Sequence, residues 1–126
     1  MKQWYVKELS QLTKVTVQTL HHYDRINLLK PSVRLDNNYR LYSEKDLLKL
    51  QQIIALKFFG FELAQIKKLL EGDVDMVDHF TVQTTFLKEK ADAFMAAHQT
   101  LQTIVSDCRS KKSLWLVFAY KTQLIF

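Results

Sequence analysis

Residues 5–32 read YVKELSQLTKVTVQTLHHYDRINLLKPS, and the fold turns on this stretch. Val6, Leu9 and Leu12 recur at every third position, which puts them on one face of a short helix over about Lys7 to Leu12. Thr13-Lys14-Val15 reads as a tight turn. Thr16 is placed to cap a second helix running to about Arg25, because a threonine hydroxyl there accepts from an otherwise unpaired backbone N–H. That second helix buries Leu20 together with Tyr23 or Val17. Two short helices across so brief a turn make a helix-turn-helix.

Downstream, Pro31 stops further helix, and Asp36-Asn37-Asn38 supplies turn chemistry between Ser32-Val33-Arg34-Leu35 and Tyr39-Arg40-Leu41-Tyr42. This predicts a small β-hairpin, a wing. Ser43-Glu44-Lys45-Asp46 opens a third helix with a capping serine and acids in its first turn. It runs to about Phe59 and carries apolar residues on more than one side: Leu47, Leu50, Ile54 and Phe58, with Leu48 and Leu56. Such a helix belongs at the centre of a core. Gly60 ends it, and a fourth helix from Glu62 to Leu70 turns Leu63, Ile66, Leu69 and Leu70 inward and Gln65, Lys67 and Lys68 outward.

Beyond Gly72 the apolar spacing changes. Val77, Phe80, Thr84, Leu87, Ala91, Phe94, His98, Leu101, Val105 and Cys108 alternate in steps of three and four, a coiled-coil seam. A helix over residues 76–110 is roughly 50 Å long, twice the ~25 Å width of a head of this size. Most of the seam must therefore meet a second chain, and Phe80, Leu87, Phe94, Leu101 and Val105 are the expected dimer contacts. Thr84 and His98 are polar interruptions of the kind that fix register. The fold class is mainly α: four helices plus a small β-hairpin wing, then a long dimerising helix.

Charge follows the same division. Residues 1–72 carry a net +5, residues 73–110 a net −3, and residues 111–126 a net +3, in a chain of 126 residues with a total of +5. A basic head suits a polyanionic partner, although surplus lysines also serve solubility. The domains expected are therefore 1–72, a basic head; 73–110, a dimerisation helix; and 111–126, a hydrophobic tail of unassigned role. Lone Cys108 excludes an internal disulfide and a CxxC metal pair and fits a reducing cytosol. The opening MKQWYVKEL has no signal-peptide core, and Leu114 to Phe126 is too short to span a bilayer. A cytoplasmic location with no membrane partner is expected.

No glycine-rich phosphate loop, nucleophile–base pair or metal cluster is present, so an enzyme is not expected. His21-His22 are adjacent on a helix, point about 100° apart and have no third ligand nearby, which argues against metal. No cofactor is expected.

The three blocks YDRINLLKPS, YRLYSEKDL and GFELAQIKKLL, in order over about residues 4–71, resemble the MerR family of bacterial regulators. Where that family has glycines, this chain has Lys14, Asn27 and Asn38; the sites call for positive φ, which asparagine tolerates and which costs lysine about 1 kcal/mol. The resemblance implies a winged helix-turn-helix on double-stranded DNA, with a dimerisation helix pairing antiparallel across a two-fold axis. It implies a homodimer on a palindromic promoter operator, whose distortion realigns promoter elements and so reaches RNA polymerase indirectly.

It also places the DNA contacts. On the second helix these are Thr16, Val17, Gln18, His21, His22 and Tyr23, with Gln18 suited to adenine N6/N7 and His21 to guanine N7 or phosphate. Solvated polar residues, or core packing for Tyr23, are the plainer alternatives. In the wing they are Arg34, Asn38, Tyr39 and Arg40, since arginine forks suit phosphate. Asp24 would be repelled by DNA and is expected to pair with Arg25 or an exposed lysine. The family's C-terminal effector domain is expected to be missing, and the rival reading is a truncated subunit that pairs with a longer relative as a decoy.

Overall fold

The computed structural model describes residues 2–109. Element order is β1 (Gln3–Tyr5), α1 (Val6–Thr13), α2 (Val17–Arg25), β2 (Val33–Arg34), β3 (Arg40–Ser43), α3 (Glu44–Phe58), α4 (Leu63–Glu71) and α5 (Met76–Arg109). Two compact units divide the chain, Met1–His79 and Phe80–Phe126. The tail expected at 111–126 lies outside the described residues.

Local sequence accounts for the helix ends. Thr16 accepts from the Thr19 N–H at 3.0 Å and so starts α2. Ser43 and Asp46 cap each other: Ser43 Oγ accepts from the Asp46 N–H at 3.3 Å, and Asp46 Oδ2 from the Ser43 N–H at 2.9 Å. At the exit of α2, Asn27 adopts φ 61°, and the amides of Asn27 and Leu28 donate back to the carbonyls of Asp24 and Tyr23. That is a Schellman closure with asparagine in the usual glycine position. Lys14 closes α1 at φ 64° and Asn38 the wing turn at φ 67°, so all three replaced glycines sit at positive φ.

The wing belongs to a larger sheet than the hairpin expected. β3 pairs antiparallel with β2 on one side and with β1 on the other, in the order β1-β3-β2, with Trp4 opposite Tyr42 and Val33 opposite Leu41. Three residues preceding the first helix thus convert a hairpin into a sheet, which anchors the wing to the start of the chain. Leu35, Asn37 and Asn38 shape its tip: the Asn38 N–H donates to Leu35 O at 2.9 Å, and the Tyr39 N–H to Asn37 Oδ1 at 3.2 Å.

Leu9 of α1, Leu20 and Tyr23 of α2, Leu28, Leu29, Tyr42 of β3, Leu50, Ile53 and Leu56 of α3, Phe61, and Ile66 and Leu69 of α4 form one core. At about 25 cal/mol per Å² of apolar surface, each fully buried leucine or isoleucine contributes roughly 2 kcal/mol. α3 is less surrounded than its sequence suggests. Leu50, Ile53 and Leu56 face the core, whereas Leu48, Ile54 and Phe58 are exposed, Phe58 at 85%. Apolar content on several sides of a helix does not by itself say how many neighbours it has.

α5 is a continuous helix of 34 residues. In the unit beginning at Phe80, the seam residues Leu87, Phe94, Leu101 and Val105 lie at the surface, Phe94 at 72% exposure. Ile104, which the seam does not include, is the one buried residue among those described in α5. Among the described residues, no helix is long and apolar enough to cross a membrane.

Candidate nucleic-acid interface

A nine-residue helix starting at Val17 has a polar sector because residues 18, 21, 22 and 25 repeat at helical spacing. Leu20 and Tyr23 hold the opposite side of α2 in the core, which turns that sector outward. Gln18, His22 and Arg25 are exposed and His21 is half-buried. Thr16 is also exposed, but its hydroxyl is engaged, accepting from the Thr19 amide and donating to Thr19 Oγ1 at 2.8 Å. Val17 is half-buried at the first turn.

Tyr23 lies elsewhere. It is 4% exposed and packed in the core, with its ring 6.4 Å from that of His22. Its ring thus serves core packing, one of the two roles open to it. Burial also raises the pKa of its hydroxyl.

The wing approaches α2 within the first unit. Arg34, Asn38 and Tyr39 are exposed and Arg40 is half-buried. Tyr39 stands edge-on to Tyr5, with ring centroids 5.9 Å apart and planes at 76°. Tyr5, Val6, Lys7, Glu8, Tyr39 and Arg40 line a cavity of about 380 Å³ between the start of α1 and the wing.

Asp24 joins wing to helix. Its carboxylate is buried and accepts three cationic donors: Arg34 Nη2 at 2.7 Å and Arg40 Nε at 3.0 Å, both on Oδ2, and Lys30 Nζ at 3.2 Å on Oδ1. Lys30 is an exposed lysine of the kind expected, but Arg25 is not a partner; the two wing arginines take its place. Burial alone would raise the Asp24 pKa, yet hydrogen bonds from Arg40, Arg34 and Lys30 outweigh it and lower it to about 2. The Arg40 pairing spans sixteen residues of sequence, so no local pattern signals it.

Arg40 has a second partner. Its Nη1 lies 3.3 Å from His21 Nε2. A guanidinium has only donors, so His21 must accept there as a neutral ring with its proton on Nδ1. Burial lowers the His21 pKa first, and Arg40 and Arg25 lower it further against the opposing pull of Asp24. Outside this cluster, Lys67 donates to Ile26 O at 3.4 Å while Lys68 is exposed.

No group of three or more His, Cys, Asp or Glu that could hold a metal ion occurs among the described residues, and His21-His22 therefore have no third ligand there.

Comparisons with known proteins agree on one lineage. Residues 5–73 match the family model described as MerR HTH family regulatory protein. The HTH-type transcriptional activator mta of Bacillus subtilis (strain 168) is 48% identical over 68 residues, covering 54% of this chain and 26% of that protein. A crystal structure of a MerR family transcriptional regulator from Bacillus cereus superposes with a TM-score of 0.84 at 26% identity, covering 98% of this chain and 97% of the other. The EcmrR–DNA complex, solved by cryo-electron microscopy in EcmrR-RPo, superposes with a TM-score of 0.70 at 27% identity, covering 86% of this chain and 40% of that one. The chain spans between 26% and 45% of the length of the curated relatives it matches.

Proposed function

Because this chain belongs to the MerR family of regulators, we propose that it binds a promoter operator in double-stranded DNA and controls transcription from it. One observation carries the reading: the wing cations and the polar sector of α2 are tied together at Asp24, so both are offered from one surface. Gln18 and His21 then read base edges in the major groove, with His22 beside them. Thr16 and Val17 lie at the helix end that enters first. Arg34, Asn38, Tyr39 and Arg40 hold phosphates on the flanking backbone, which fixes register rather than sequence. That the EcmrR relative was solved on DNA, and that the Bacillus subtilis relative is named an activator, supports this assignment.

The active species in this reading is a homodimer. Residues 1–72 form the DNA-binding head and residues 73–110 the dimerisation helix, paired antiparallel through Phe80, Leu87, Phe94, Leu101 and Val105. An apolar row exposed on a single helix loses its hydration cost when two such rows meet. Two heads joined in this way place their α2 helices in successive major grooves, roughly 34 Å apart, on a palindromic site. The dimer then bends and untwists the DNA between half-sites, and that deformation energy is what couples binding to RNA polymerase through the promoter.

The test is selection of duplexes from a random pool by the full chain, followed by gel shift of the recovered sites against salt. Binding of a symmetric site as a dimer, weakening steeply as salt rises, is the expected result. Recovery of no enriched sequence, with no salt-sensitive complex, defeats the proposal.

A further inference from the structure

We propose that Asp24 is a positioning residue: its carboxylate fastens both wing strands to α2 and, through Arg40, orients the imidazole of His21, so that helix and wing meet DNA as one rigid body. The inference rests on the DNA-binding reading above and names the residue that organises that surface.

The geometry supplies the reason. Arg34 comes from β2 and Arg40 from β3, and both end on the same oxygen of Asp24. Arg40 then extends from Asp24 to His21, one turn earlier on the same helix. The Asp24 side chain is 7% exposed, whereas Arg34 is 43%, Arg40 27% and Lys30 58% exposed. One buried anion therefore holds three cations that still reach the surface, leaving the cluster net positive. Each guanidinium has five N–H donors and gives only some of them to the protein, so the rest remain for phosphate. Ordering long side chains costs free energy, and here that cost is met during folding, not when DNA arrives.

The sign of the effect separates this role from a simple electrostatic one. An acid close to DNA repels phosphate, so removing its charge should tighten binding if charge is all that matters. Removing a positioning group should weaken binding although the protein becomes more positive.

Asp24→Asn in the full chain tests this, since the amide keeps the shape and one acceptor oxygen but loses the charge. In the DNA-free protein, amide exchange over residues 33–42 should accelerate by about tenfold while amides of Leu50, Ile53 and Ile66 stay protected. The ¹⁵N spectrum of His21 should pass from one Nδ1–H tautomer to a mixture. On a duplex recovered by selection with the unaltered chain, Asp24→Asn should bind about tenfold more weakly, and Asp24→Glu, which retains the charge, should recover part of that loss.

Unchanged exchange in the wing, or binding as tight as or tighter than the unaltered chain, overturns the proposal. Failure of the unaltered chain to bind any duplex defeats the DNA reading instead, and the exchange and tautomer measurements still decide the role of Asp24. If Asp24→Asn also loosens α3 and α4, Arg40→Lys decides. It keeps the charge but cannot bridge Asp24 and His21, and local loosening of the wing with a mixed His21 tautomer is then required.

Discussion

The Nη1 of Arg40 lies 3.3 Å from the Nε2 of His21, which makes a residue facing the major groove in our reading an acceptor for a wing arginine. His21 therefore offers DNA only its Nδ1–H. Its pKa is lowered from the ordinary 6.5 by burial and by Arg40 and Arg25. The folded chain thus takes up a proton less readily than the unfolded one, and this group withdraws stability as pH falls below 6.5. A ring-proton titration by NMR should give His21 a midpoint under 6.5; a midpoint at or above that value means Arg40 is not held against it.

Asp24 works in the opposite chemical sense but with the same direction in pH. Its folded pKa, about 2, lies below the ordinary 3.8, so its stabilisation is complete above 3.8 and lost as pH falls toward 2. The difference corresponds to roughly 2 kcal/mol. Denaturant midpoints of the unaltered chain and Asp24→Asn should differ at pH 7 and converge near pH 2. A gap that stays constant over that range would show that charge is not what binds the wing.

Lys14 closes α1 at φ 64°, where a Cβ is strained. Lys14→Gly should raise stability by about 1 kcal/mol, measured by thermal or chemical unfolding. No gain, or a loss, would mean the lysine side chain makes compensating contacts in the folded head.

Gln18 is exposed on the polar sector of α2, where its amide can pair with adenine in a bidentate manner. Gln18→Ala should relax base preference at one operator position by roughly 1–3 kcal/mol. Arg40→Ala, by contrast, should weaken binding to every sequence, with a change of preference only at the position His21 reads. Equal binding of Gln18→Ala and the unaltered chain across a panel of single-base operator variants removes Gln18 from base reading.

Leu87 and Phe94 sit one heptad apart on the outer surface of α5, with Phe94 72% exposed. Replacing either with aspartate should convert a sedimenting dimer into a monomer at micromolar concentration, with the head still folded by its amide spectrum. A chain that is already monomeric without substitution ends the paired-helix account.

Much of this architecture could be read from short-range patterns. Thr16, Ser43 and Asp46 are caps whose partners lie three residues away, local relationships that a local pattern encodes. The left-handed turns at Lys14, Asn27 and Asn38 were legible instead through the family resemblance, which has glycine at those places. β1 escaped because a three-residue strand is defined by its partner nearly forty residues later. The Asp24 cluster escaped for a related reason: it exists only once the wing has folded back on α2, and one carboxylate among several basic residues does not announce which it will choose. Phe58 shows the converse failure, since an aromatic residue in a helical pattern says apolar without saying covered.

Asp46 has a consequence for how such a head can diversify. Besides capping α3, its Oδ2 accepts from the Ser32 N–H at 2.9 Å and Ser32 Oγ at 2.7 Å, while taking the Ser43 N–H at 2.9 Å. Both mouths of the 32–43 loop are therefore stapled to a single atom. Between those staples, the tip at residues 35–39 works as an exchangeable cassette: insertions or new side chains there alter what the wing touches without unpicking the scaffold that carries it. The tip can thus vary while Arg34 and Arg40 keep the wing fastened to α2.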